Sequence, residues 1–152
     1  MNMIEIERKF LVKDEAREVL KDMTPIHISQ AYLVNEKSKS VRVRIMNDLA
    51  YLTVKSDMIG ITRSEYEYEI PVQEALSMIK SFELKVLQKV RYKLEFHSKT
   101  WEIDVFEGAL KGLVLAEIEL QNENESFERP LWIGEEVTFD PKYLNANLIN
   151  RL

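Results

Sequence analysis

Charged residues at every second position recur along this chain and are the residues best suited to chemistry. Glu5, Glu7 and Lys9 share one side of an extended segment whose other side is apolar. Later segments repeat the pattern, so two sets of side chains are predicted to face the same way. The basic set is Lys9, Arg42, Arg44, Lys55, Lys89 and Arg91. The acidic set is Glu5, Glu7, Glu65, Glu67, Asp104, Glu117 and Glu119.

A solvated outer face would explain any one of these segments, because polar outer faces are common in β-sandwiches. It does not explain the whole set, since Arg42 and Arg44 lie on one face and cannot neutralise each other. The Glu-x-Glu pairs raise the same problem for carboxylates. Mg²⁺ or Mn²⁺ prefers carboxylate oxygens, and guanidinium groups match phosphate oxygens. The two sets therefore predict an enclosed metal–triphosphate complex in which the charges compensate one another.

The alternating segments must be strands, and they predict the fold. About eight of them follow one another with short polar turns, which is typical of antiparallel hairpins. Helical periodicity is confined to short stretches near residues 14–23, 71–82 and 140–148. We therefore expect a mainly β (α+β) protein, an eight-stranded antiparallel closed barrel with a few flanking helices. Closure removes the exposed edges, and a barrel of this size holds one small ligand.

Composition limits the classes of protein and of site. The 152 residues are expected to form one domain spanning 1–152. A net charge of −5 argues against general nucleic-acid binding. The chain has no cysteine and only two histidines, so any metal is expected to be a hard, oxygen-bound cation. The sequence contains no apolar run long enough for a membrane span, which predicts a cytoplasmic enzyme or binding protein.

The ordered motifs resemble those of the CYTH superfamily, the triphosphate tunnel metalloenzymes. The match starts at Glu5-x-Glu7-x-Lys9 and covers essentially the whole chain. It continues through Arg42-x-Arg44, Lys55, Glu65-x-Glu67, Lys89-x-Arg91, Asp104 and Glu117-x-Glu119. The run Glu136-Val137-Thr138-x-Asp140-x-x-Tyr143-x-Asn145 also resembles the family's C-terminal pattern. One Glu-x-Glu-x-Lys run is a common strand pattern, but the ordered series is far more specific.

The resemblance implies a charged tunnel acting on triphosphate-containing substrates with Mg²⁺ or Mn²⁺. It assigns phosphate binding to Lys9, Arg42, Arg44, Lys55, Lys89 and Arg91. It assigns metal binding to Glu5, Glu7, Asp104, Glu117 and Glu119, with Glu65 and Glu67 contributing to the metal or to water positioning. The catalytic set is expected to be Glu5, Glu7, Lys9 and Glu67.

Several functions remain open within this resemblance. The first hypothesis is hydrolysis of inorganic triphosphate, because the N-terminal motif and compact length resemble the bacterial triphosphatase branch. A class IV adenylate cyclase is the alternative, although no base-reading motif is evident; thiamine triphosphatase is a third enzymatic option. A polyphosphate or nucleotide sensor would keep the basic residues without positioning water. The expected partner is a small-molecule triphosphate, with no nucleic acid and no membrane, and a homodimer is left open.

Overall fold

The computed structural model describes residues 3–152, and strands dominate it. The strands are β1 (Ile4–Val12), β2 (Ile26–Glu36), β3 (Lys39–Met46), β4 (Leu49–Ser56), β5 (Thr62–Ile70), β6 (Leu87–Phe96), β7 (Lys99–Phe106), β8 (Val114–Glu119) and β9 (Ile133–Glu136). The α-helices are α1 (Ala16–Leu20), α2 (Val72–Ser81) and α3 (Asn145–Leu148). Short 3₁₀ turns lie at Gly108–Leu110, Pro141–Tyr143 and Ile149–Arg151. Within residues 3–152, no helix is both long and apolar enough to cross a membrane.

Antiparallel pairing closes the first eight strands into a barrel. The strands neighbour one another in the order β5-β4-β3-β2-β6-β7-β8-β1, and β5 also pairs with β1. That closing seam is short, running from Ile4 opposite Ser64 to Ile6 opposite Thr62. The predicted eight-stranded antiparallel closed barrel is therefore confirmed.

A further short strand, β9, was not predicted. It pairs with β1 beyond the seam, where Phe10 lies opposite Glu136 and Val12 opposite Ile133. Its sequence, Ile-Gly-Glu-Glu, is too short to show a period, so strand periodicity could not identify it. Arg8 anchors it with two hydrogen bonds to the Glu136 carboxylate, at 2.8 and 2.5 Å.

Most apolar packing lies outside the barrel wall, because the charged parity takes the inside along much of each strand. At one end, the inward face is instead an apolar floor, formed by Leu87, Phe106 and Leu115. Phe10, Trp101 and Trp132 are buried on the outer face. The Trp101 ring meets those of Phe10 and Trp132 edge to face, with centroids 5.5 and 6.0 Å apart. A second outer cluster forms where Ala75 of α2 packs against Val43 and neighbouring wall residues. Both tryptophans therefore have a packing role.

The C-terminal segment differs from the single helix expected over residues 140–148. Asp140 does cap its start, since its carboxylate accepts a hydrogen bond from the Lys142 backbone N–H at 3.2 Å. The first turn is 3₁₀, and Leu144 then adopts an extended conformation before α3 begins. The break lets Leu148 and Ile149 pack with Leu87 and neighbouring apolar residues at one end of the barrel. We call residues 141–151 the C-terminal plug.

The Arg8–Glu136 pair predicts a pH-dependent contribution to stability. The hydrogen bond from Arg8 is the main cause that lowers the pKa of Glu136 below its ordinary value. A lowered carboxylate pKa stabilises the folded state fully above about pH 4.3, and this stabilisation is lost as the pH falls through the folded-state value. Glu136→Gln should therefore lower the free energy of unfolding by about 1–2 kcal/mol at pH 7.

Urea denaturation at pH 7 and at about pH 3.5 tests this. The difference between wild type and Glu136→Gln should shrink at the lower pH. Glu135→Gln is the matched control, because Glu135 is exposed on the same short strand. A difference that stays constant between the two pH values would contradict the assigned contribution.

Candidate active site

A cavity of about 230 Å³ lies inside the barrel, and charged side chains form most of its wall. It collects eleven of the thirteen residues predicted from strand parity. They are Glu5, Glu7, Lys9, Arg42, Arg44, Lys55, Glu65, Glu67, Arg91, Glu117 and Glu119. Lys89 and Asp104 are buried side by side, with exposed fractions of 0% and 2%, and do not line this cavity.

Strand register explains why residues distant in sequence meet here. Glu7 of β1 lies directly opposite Glu119 of β8, and Lys9 lies opposite Glu117. Across the closing seam from β1, Lys55 of β4 lies opposite Glu65 of β5. Directly opposed residues point to the same face of a sheet, so each ladder places its charges together on the inner surface.

Glu5 sits at the closing seam between two cations. Its carboxylate accepts hydrogen bonds from Lys55 Nζ at 3.0 and 3.1 Å and from Arg63 Nε at 2.9 Å. Burial raises the pKa of Glu5, but the charges of Lys55 and Arg63 more than offset this and leave the pKa well below its ordinary value. Glu5 is therefore a carboxylate ion at neutral pH, and it holds both cations in place.

Asp104 organises a second ionic cluster deeper in the barrel. It receives a bidentate hydrogen bond from Arg91, at 2.7 and 2.9 Å, and lies 2.7 Å from Lys89 Nζ. Glu102 accepts from the remaining nitrogen of Arg91 at 2.8 Å. Burial lowers the pKa of Lys89 to about 7, and the neighbouring Asp104 charge opposes that change. Both Asp104 oxygens are thus occupied by cations in this structure.

Two inward lysines contact the C-terminal plug. Lys9 Nζ donates to the Tyr143 carbonyl at 3.0 Å and lies 3.4 Å from the Glu117 carboxylate. Lys89 Nζ makes a longer contact of 3.4 Å with the Asn145 side-chain oxygen. The plug residues Leu144, Asn145 and Ala146 also line the cavity. The plug therefore forms one part of the cavity wall.

Arg42 and Arg44 concentrate positive charge on the β3 side of the cavity. Arg44 donates to the Gln30 side-chain oxygen at 2.9 and 3.0 Å. Burial, followed by the charges of Arg42 and Arg91, lowers the pKa of Arg44 to about 9, so it stays charged at neutral pH. Arg42 Nε is buried and has no hydrogen-bond partner among residues 3–152. A phosphate oxygen is an acceptor that would satisfy such a donor.

Glu7 is a half-buried carboxyl group without a cationic partner in the part of the chain that the structure describes. It has no ion pair within the described residues and lies opposite Glu119, another carboxylate. Burial, followed by the charges of Glu117 and Glu5, raises the pKa of Glu7 to about 8. Burial and then neighbouring carboxylates, Glu5 first among them, also raise the pKa values of Glu65 and Glu119. The carboxyl groups on the β1–β8 side of the cavity thus crowd one another, and without a cation Glu7 is mostly protonated at neutral pH.

These carboxylates fit a hard divalent cation in their chemistry. Their donor atoms are all oxygens, as Mg²⁺ and Mn²⁺ require, and a bound cation would favour the ionised form of Glu7 and reduce the repulsion among the carboxylates. Across residues 3–152, however, no three acidic or histidine side chains converge into a ready-made metal site. The oxygen donors are therefore of the right chemical type for such a metal. Their side chains would have to move closer to one another to coordinate it.

Three charged residues that line the cavity are missing from the basic and acidic sets predicted from the sequence. They are Arg63, Lys93 and Glu102. Each has the inward parity of its strand, so the alternation itself was the signal that could have identified them. Tyr32, which shares the parity of Gln30, also lines the cavity. His97, in contrast, is exposed at the β6–β7 turn.

The chain is similar over nearly its whole length to known triphosphatases. It is 51% identical over 146 residues to an inorganic triphosphatase from Acetivibrio thermocellus, covering 95% of this chain and 92% of the relative. It is 35% identical over 150 residues to an inorganic triphosphatase from Nitrosomonas europaea, covering 96% of this chain and 97% of the relative.

Solved structures agree with this relationship. A crystal structure of an inorganic triphosphatase superposes with a TM-score of 0.65 and 33% identity, covering 95% of this chain and 93% of the other. A putative adenylate cyclase from Bacillus halodurans, 18% identical with a TM-score of 0.60, shares the fold over 80% of this chain and 82% of its own. Residues 3–151 match the CYTH domain. With its barrel, its enclosed charges and these relatives, the chain belongs to the CYTH domain family.

Proposed function

We propose that the protein is a metal-dependent hydrolase that cleaves inorganic tripolyphosphate inside the barrel. The observation that carries this proposal is one enclosed cavity with a guanidinium-rich wall facing a carboxylate-rich wall. The former suits phosphate oxygens and the latter suits divalent cations. Both 51% and 35% identical relatives are inorganic triphosphatases, which supports the same substrate class.

The cavity offers little to a nucleobase or a thiazolium ring. Among its lining residues within the described chain, Tyr32 is the one aromatic side chain, and the other apolar contributions are small. Base recognition normally needs an aromatic stacking surface or an apolar pocket with directed polar groups. Inorganic tripolyphosphate, which is anionic along its whole length, therefore fits this wall better than ATP or thiamine triphosphate.

The basic residues would bind and align the phosphate chain. Arg42 and Arg44 project from β3, and Lys9, Lys55 and Arg91 approach from the other strands. Lys89 lies behind this wall and would support Arg91 through the Asp104 carboxylate that both contact. Fixing the chain in an extended arrangement would leave its terminal phosphorus open to in-line attack, which is the main task in phosphoryl transfer.

The acidic residues would hold Mg²⁺ or Mn²⁺ and orient water. Glu7 and Glu119 are the best placed for the metal, because neither has an ion pair in the described chain; Glu5, Glu65, Glu117 and Asp104 are already paired with lysine or arginine. A bound divalent cation would neutralise charge on the transferring phosphoryl group.

Glu67 is better placed than Glu5 to position the attacking water. Glu5 is held by two cations, whereas Glu67 is partly exposed and accepts a hydrogen bond from the Thr53 hydroxyl at 3.0 Å through Oε2 only. Its Oε1 has no partner in residues 3–152 and could accept a proton from water. Attack on the terminal phosphorus breaks its bond to the bridging oxygen, and the products are orthophosphate and pyrophosphate.

A substrate comparison tests the proposed reaction. With Mg²⁺ or Mn²⁺, the protein should release phosphate from tripolyphosphate faster than from ATP or thiamine triphosphate, because the cavity wall is charged rather than adapted to a ring. Phosphate release measured with and without EDTA provides the rate and the metal requirement. Equal or preferential formation of cyclic AMP from ATP would support a cyclase instead. Tight binding without turnover would support a sensor.

Glu7→Gln should separate activity from stability. Removing the unpaired carboxylate should raise the Mg²⁺ concentration needed for half-maximal activity at least about tenfold. The melting temperature should stay the same or rise, because Glu7 pairs with no cation in the described chain and its burial already favours the uncharged form that Gln resembles. Glu18→Gln, on the exposed surface of α1, should change neither quantity. An unchanged metal requirement in Glu7→Gln would exclude Glu7 from metal binding.

Arg42→Ala should weaken substrate binding. It removes a guanidinium with an unsatisfied buried nitrogen, and we expect KM for tripolyphosphate to rise about 10- to 100-fold. Steady-state kinetics against tripolyphosphate measures this. Arg17→Ala is the control, because Arg17 is exposed on α1. A wild-type KM in Arg42→Ala would remove Arg42 from the binding site.

A further inference from the structure

Arg63 lies at the start of β5 and lines the cavity beside the closing seam. It is directly opposite Glu5 in the β1–β5 ladder. Its Nε donates to Glu5 Oε1 at 2.9 Å, and its side chain is 20% exposed. The position is therefore fixed by both backbone pairing and a charge-assisted hydrogen bond.

The terminal nitrogens of Arg63 are not used by this contact. Within residues 3–152, neither Nη1 nor Nη2 has a hydrogen-bond or ion-pair partner. Neither is among the buried, unsatisfied atoms, so both keep accessible surface on a residue that lines the cavity. Arg63 thus has two free N–H-bearing groups beside a site that is proposed to bind a polyanion.

Two other arginines on the cavity wall have more of their side-chain nitrogens hydrogen-bonded to the protein than Arg63 has. Arg91 has all three nitrogens engaged by Asp104 and Glu102. Arg44 has Nε and Nη2 engaged by Gln30. Arg63 resembles Arg42, in which one nitrogen contacts the protein and another has no partner among the described residues. On this ground, Arg63 belongs with the residues that contact the ligand.

We propose that Arg63 is a further phosphate-binding residue, oriented by Glu5, that contacts a phosphoryl group of tripolyphosphate through Nη1 and Nη2. This inference rests on the proposed function. A guanidinium held at Nε keeps its plane fixed, and the two terminal nitrogens then match two oxygens of one phosphoryl group. Glu5 consequently has a positioning role, because it sets the orientation of Arg63 as well as that of Lys55.

The test uses Arg63→Ala and Arg63→Lys. Both should raise KM for tripolyphosphate about 10- to 100-fold with kcat changed much less. Arg63→Lys should not restore binding, because one ammonium group cannot hold Glu5 and also present two donors to phosphate. Arg17→Ala should behave as wild type. Melting temperatures establish that the variants are folded, and Arg63→Lys carries the test alone if Arg63→Ala does not fold.

Two kinetic results would overturn the inference. A fall in kcat with unchanged KM would mean that Arg63 acts only by holding Glu5. A wild-type KM in Arg63→Lys would mean that a positive charge alone suffices at this position.

Calorimetric titration with tripolyphosphate in the presence of Mg²⁺ separates this inference from the proposed function. If the wild type binds without turnover and Arg63→Ala binds more weakly, the hydrolase assignment fails and the role of Arg63 stands. If the wild type turns over tripolyphosphate and Arg63→Ala binds equally well, the role of Arg63 fails and the hydrolase stands. If the wild type does not bind tripolyphosphate, both fail.

Discussion

The structure depends on compensating charge inside a closed barrel. An unpaired charge that is removed from water is costly, and the cost falls only when an opposite charge or several hydrogen bonds replace the lost solvent. At the closing seam, Glu5 meets this condition by lying between Lys55 and Arg63. In the second ionic cluster, Asp104 meets it by lying between Arg91 and Lys89. Elsewhere in the described chain the compensation is incomplete: Arg42 keeps a buried donor without an acceptor, and Glu7, which has no cationic partner, is held mostly protonated by its raised pKa. A bound anion would satisfy the first group, and a bound cation would favour ionisation of the second.

The same constraint determines where the apolar core lies. The part of the interior that forms the cavity is committed to charge, so apolar packing is confined to the outer face of the wall and to the plugged end of the interior. Trp101, which is completely buried, lies on β7 with parity opposite to that of Asp104. Neighbouring positions of one strand therefore contribute to packing and to the site in alternation. The C-terminal plug takes part in both the apolar packing and the site, because it buries Leu148 and also accepts the Lys9 hydrogen bond through the Tyr143 carbonyl.

Most of the fold and much of the candidate site could be predicted from the sequence, because a period of two assigns every strand residue to a face. Arg42, Lys55 and Glu117 were found this way. Periodicity could not predict β9, which is only four residues long, or the break at Leu144, which depends on packing at the plugged end. Nor could it separate residues that line the cavity from Lys89, which has the same parity but is sealed behind other side chains. That difference depends on depth along the barrel axis, which a strand pattern does not contain.

Because inward and outward positions alternate along every strand, this architecture can change its reaction without rebuilding its scaffold. A substitution at an inward residue such as Lys93 meets the lumen, while the adjacent Tyr92 and Leu94 keep their contacts with the outer packing layer. A substitution at a lumen position outside the buried ion pairs therefore leaves both the outer packing and the charge compensation in place. A barrel of this kind can acquire new substrates by exchanging a few inward side chains, and it keeps its shape while doing so.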